Sequence, residues 1–62
     1  MNAGTQTSAT DLVGTYRTFG EYGPAYQVVG TVNGQKVHVL VLQTGEELDY
    51  PTEQAAKDPQ TR

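Results

Sequence analysis

The run Val37-His38-Val39-Leu40-Val41-Leu42 constrains the fold more than any other stretch, with five aliphatics around one histidine. Apolar, largely β-branched residues in unbroken succession form a strand. Side chains alternate along it, so Val37, Val39 and Val41 face one side and His38, Leu40 and Leu42 the other. Both sets are mostly apolar, and such a strand requires cover on both sides of its sheet. The chain has 62 residues and no cysteine. One small domain of this size buries only ~60% of the surface its unfolded form exposes. Without disulfides, oligomerisation is a common support for so thin a core.

The neighbouring turns set an expected register. Asn33-Gly34 between two β-rich runs marks a two-residue type I′ hairpin with positive φ at both positions. It pairs Val28 with Val39 and Tyr26 with Val41 on one face, and Val29 with His38 and Gln27 with Leu40 on the other. Thr44-Gly45 reads as a second tight turn, pairing Val41 with Leu48 and Val39 with Tyr50. Both turns then select the same apolar face, and that agreement supports the register. Val28, Val39, Val41 and Leu48 become the expected core.

Residues 1–10 (MNAGTQTSAT) carry little to bury and read as a disordered tail. Residues 11–19 read as a first strand with Gly14 as a bulge, and residues 25–32 as a second. Pro51 suits the first helical position, and TEQAAK that follows contains good helix formers. Pro59 ends that helix after about two turns, and residues 60–62 should fray. The expected fold is a single mainly β domain over residues 11–59. It is a four-stranded antiparallel meander with a short C-terminal helix, open or curled toward an SH3-like barrel, and completed by homodimerisation.

Phe19-Gly20-Glu21-Tyr22-Gly23-Pro24-Ala25-Tyr26-Gln27-Val28, followed by Thr44-Gly45-Glu46-Glu47-Leu48-Asp49-Tyr50-Pro51, resembles a family of short uncharacterised bacterial proteins, a domain of unknown function. The resemblance spans about Leu12 to Pro59. It implies a small bacterial protein and transfers no catalytic or binding residue.

Composition excludes more chemistry than it suggests. The net charge is −3, and Arg17, Lys36, Lys57 and Arg62 are scattered, whereas duplex nucleic-acid binders carry a basic stripe. No apolar run approaches the ~20 residues of a membrane-spanning helix, and the polar start has no apolar leader region. A cytoplasmic protein with no nucleic-acid or membrane partner is expected. A lone histidine and no cysteine make metal sites and cofactors unexpected. His38 has no serine or cysteine nucleophile beside it, since Ser8 lies in the tail, so no triad assembles. Glu46, Glu47 and Asp49 lack calcium-loop spacing and instead suit an edge strand that resists aggregation.

Two function classes remain. The first is a non-catalytic interaction or assembly module, a homodimer or the partner of a larger protein, with Val29, His38, Leu40 and Leu42 at the interface. Those aliphatics need cover that a two-turn helix on the other face cannot give. The second is a small-ligand or peptide binder using Tyr16, Phe19, Tyr22 and Tyr26 in the aromatic loop, residues 16–26, as a groove.

Overall fold

The computed structural model describes residues 8–61. They form a short helix α1 (Ala9–Leu12), strands β1 (Tyr16–Thr18), β2 (Ala25–Asn33), β3 (Lys36–Val41) and β4 (Glu47–Pro51), helix α2 (Thr52–Lys57) and a final strand β5 (Gln60–Thr61). The strands make one open antiparallel sheet in the order β4-β3-β2-β1-β5. The mainly β architecture with a helix near the C-terminus is as expected. The sheet stays open rather than closing into a barrel, and a fifth strand is added.

The two ends of the chain depart from expectation. Ala9 and Thr10, assigned to the tail, begin α1, and Ala9 is buried. Ser8 caps this helix, its Oγ accepting from the Asp11 N–H, as a serine N-cap does. Gly14 follows with φ +90°, a left-handed conformation that glycine adopts without penalty. The glycine thus turns the chain from helix into β1, and the strand expected from residue 11 starts only at Tyr16. Leu12 docks on the sheet and is almost wholly buried. Gln60 and Thr61, expected to fray, pair with Arg17 and Tyr16 of β1. Residues 1–7 of the expected tail, and Arg62, lie outside the described residues.

The β2–β3 register holds away from the turn and fails near it. Tyr26–Val41, Gln27–Leu40 and Val28–Val39 pair as expected, but bulges at Val29 and Val32 bring Gly30 opposite His38 and Asn33 opposite Lys36. Asn33 therefore does not occupy the positive-φ site of a type I′ turn, and neither Asn33 nor Gly34 has positive φ. Instead the Asn33 Oδ1 accepts from the Gln35 N–H at 2.8 Å, an Asx turn that asparagine forms readily. Between β3 and β4 the connection is residues 42–46, longer than the two-residue loop expected. Gly45 takes φ +76° and donates its N–H to the Val41 carbonyl. Val39 therefore pairs Leu48, and Val37 pairs Tyr50. The slip is of two residues, so every side chain keeps its face.

One face of the sheet carries the core: Tyr26, Val28, Val37 and Val39 are fully buried and Val41 nearly so. Leu48, expected in the same class, is half-buried at its margin, together with Phe19 and Tyr50. Leu12 and Ala9 of α1 and Ala55 of α2 cover this face. Ala56, the next residue of α2, is exposed. Pro51 is the N-cap of α2 rather than its first residue, and the Thr52 N–H bonds the Gln35 carbonyl.

Candidate interaction face

β3 is flanked by β2 and β4, and its alternation governs both faces of the sheet. Opposite the core lie His38 and Leu40, with Leu42 just beyond the strand end. Leu40 sits between Gln27 on β2 and Glu47 on β4, and Gln27 is in turn opposite Tyr16 on β1. Both helices pack on the other side, so among the described residues no element covers this face. Tyr16, Val29 and Leu42 remain 38%, 42% and 46% exposed there, whereas the valines one residue along β3 are sealed. All four residues expected at an interface, Val29, His38, Leu40 and Leu42, are at least partly accessible.

His38 is the polar centre of the face. Its Nε2 lies 2.7 Å from Glu47 Oε1 and its Nδ1 lies 3.0 Å from Asp49 Oδ1. Asp49 is directly opposite His38 rather than diagonal to it, a consequence of the two-residue slip. Gly30 gives the ring no side-chain neighbour on the β2 side. Hydrogen bonds to Asp49 and then Glu47 hold the imidazole above its ordinary pKa of 6.5, against a smaller opposing desolvation. All three side chains are solvent-accessible.

The four aromatics expected to line a groove are dispersed instead. Tyr26 is in the core, where it meets Phe19 at 4.3 Å and Tyr50 at 5.5 Å between ring centroids. Tyr16 is on the opposite face, and Tyr22 projects from the loop, 96% exposed. Tyr50, which was not among the four, completes the ring cluster with Phe19 and Tyr26.

A buried polar network was not foreseen. The Asp58 carboxylate accepts from the Tyr26 hydroxyl at 2.7 Å, the Tyr50 hydroxyl at 3.0 Å and the Gly20 N–H at 3.2 Å. Its main-chain carbonyl takes the Arg17 guanidinium at 3.1 Å, and Arg17 also donates to Thr15. Burial, reinforced by the Asp58 contact, pushes the Tyr50 phenol up to about 12 and the Tyr26 phenol further. Such phenols stay neutral and donate, which suits a fastening more than a nucleophile. The network ties the segment after α2 to β1 and the first loop. Its partners lie 32, 8, 38 and 41 residues from Asp58, all but Tyr50 beyond the reach of a local pattern. The one local signal is an aspartate between a short helix and Pro59.

The chain belongs to a family of unknown function, DUF5397. The family model matches residues 4–62. No curated protein and no solved structure matches the chain. Among the described residues no cluster of His, Asp and Glu has metal-binding geometry, and no helix is long and apolar enough to cross a membrane.

Proposed function

We propose that this member of DUF5397 is a small, non-catalytic interaction module of the bacterial cytoplasm that self-associates through the open sheet face. The observation that carries the reading is the contrast in cover: α1 and α2 both pack on the core face, while Tyr16, Val29, Leu40 and Leu42 share the other. Sheets pack face to face at ~10 Å through flat apolar surfaces. A second copy supplies such a surface without any further sequence requirement, and a two-fold axis near Leu40 sets the patch against itself. Each aliphatic covered contributes about 1.5–3 kcal/mol at most, and proportionally less for these half-exposed positions. A domain this small has little stability of its own. The peptide-binding alternative has less support, because Tyr26 and Phe19 belong to the core and only Tyr22 and Tyr16 remain available.

Light scattering on wild-type and Leu40→Asp chains, with circular dichroism as a folding control, tests the reading. The expected result is a wild-type dimer and a folded Leu40→Asp monomer. A folded Leu40→Asp chain with the wild-type mass overturns it.

A further inference from the structure

We propose that a proton held by His38 regulates self-association, the two copies binding more tightly when the ring is protonated. The proposal rests on the self-association reading above and names its regulation. It starts from valence. A neutral imidazole has one N–H and one lone pair, and an ionised carboxylate only accepts. Both nitrogens of His38 lie within hydrogen-bond distance of carboxylate oxygens, at 3.0 Å from Asp49 and 2.7 Å from Glu47. Only the imidazolium donates to both. In the neutral ring one lone pair points at an oxygen, so that contact turns repulsive and one carboxylate is released.

The charge on the face follows directly. β4 contributes Glu47 and Asp49, opposite Leu40 and His38. The adjacent part of β2 contributes Gln27, Val29 and Gly30, none of them ionisable. On β3 itself Lys36 stands two residues from His38, on the same face by alternation. With His38 protonated, the two cations balance the two carboxylates. Loss of the proton leaves each copy with one uncompensated negative charge on the surface that meets its twin. An isologous contact sets like against like, and their repulsion grows as water leaves the interface. The dimer therefore holds the proton more tightly than the monomer, and by linkage its formation weakens as pH rises. Because the carboxylates hold the ring above 6.5, the stabilising contribution is complete at lower pH and disappears as pH rises through that raised value. His38 is the only histidine in the chain, and no other side chain has an ordinary pKa between about 5 and 8.

Sedimentation equilibrium at fixed ionic strength, from about pH 6 to about pH 9, tests the linkage. The wild-type dissociation constant is expected to rise roughly tenfold across that range, since two rings titrate per dimer and each then differs by about half a pKa unit between monomer and dimer. His38→Gln should stay weak and flat. The Glu47→Gln, Asp49→Asn double variant should lose the rise or reverse it. A wild-type dimer that Leu40→Asp breaks, but whose affinity is flat or strengthens with pH, overturns the proton linkage and leaves the self-association reading standing. His38→Gln with wild-type pH dependence also overturns the linkage. A chain monomeric at every pH overturns both.

Discussion

The two faces of the sheet are built from the same strands yet are finished in opposite ways. On the core face, Val37 and Val39 share one cluster with Leu12, Ala9 and Ala55, and the margin is fastened by Asp58. On the other, His38 and Leu40 meet no further element among the described residues, and the charged groups are accessible. Along β3 alternation leaves both faces largely apolar, while β2 and β4 add Gln27, Glu47 and Asp49 to the open one. What separates them is where the chain ends go. α1 and α2 both pack on one side, and among the described residues no third element lies on the other. The aliphatics left open among the described residues are those that the proposed self-association would cover.

The sharpest way to break this contrast is to remove the least expected part of the cover. Leu12 is nearly sealed although it lies at the end of a four-residue helix. Leu12→Ala should cost about 2–5 kcal/mol, the range for a buried leucine. That approaches the whole stability of a domain of this size. Urea unfolding of the variant should show a midpoint collapsed toward zero denaturant. A midpoint close to wild type would make α1 an ornament and remove the asymmetry between the faces.

The polar fastening should matter next. Asp58→Asn keeps one acceptor but turns an amide N–H₂ toward donors, so a loss of about 1.5–3 kcal/mol is expected, as for hydrogen bonds to a charged group. The pH dependence gives a second handle. Tyr50, raised to about 12, and Tyr26, raised further, both favour the neutral phenol in the folded chain. Their contribution is complete below the ordinary tyrosine value of 10. It declines as pH climbs from there through the raised values, because the unfolded chain ionises first. Alkaline unfolding monitored by tyrosinate absorbance should therefore show ionisation coupled to loss of the fold. Asp58→Asn should weaken that coupling without abolishing it, since burial is the larger cause. Unchanged alkaline behaviour in the variant would mean that Asp58 does not hold the phenols.

How much of this was legible depends on the range of the interaction. The strand over Val37–Val41, the helix at TEQAAK and the assignment of Val28, Val39 and Tyr26 to one face follow from period and turn signals within a few residues. The exact pairing near the turns was not legible. Asn33 could serve a type I′ turn or an Asx turn with equal local chemistry, and the bulges at Val29 and Val32 decide between them. The two-residue slip of β4 was harmless because its parity is even. α1 was missed because Gly14 reads equally as a bulge in a strand and as the left-handed exit from a helix. On the open face, Val29, His38, Leu40 and Leu42 were placed by alternation. The exact pairing of His38 with both carboxylates needed the true register. Asp58 was invisible because all but one of its partners are distant in sequence.

One substitution, made once on each face, isolates the comparison from changes of shape. Val39 is fully buried between Val28 and Leu48, and Val29 is 42% exposed at the bulge. Val→Thr preserves the β-branched outline and exchanges a methyl for a hydroxyl, so the strand geometry is retained in both variants. At Val39 the hydroxyl enters an apolar core, where an unpartnered one costs about 1–3 kcal/mol. At Val29 it remains in reach of water, and a surface substitution of this kind stays within about 0.5 kcal/mol. Denaturant unfolding at protein concentrations low enough to keep the chain monomeric should therefore separate the two variants by at least about 0.5 kcal/mol. Under the proposed self-association the gap should narrow at high concentration, because Val29→Thr then also loses interface area that the core variant keeps. Equal effects at low concentration would mean that Val29 is covered within a single chain, and the open face would cease to exist as a distinct surface.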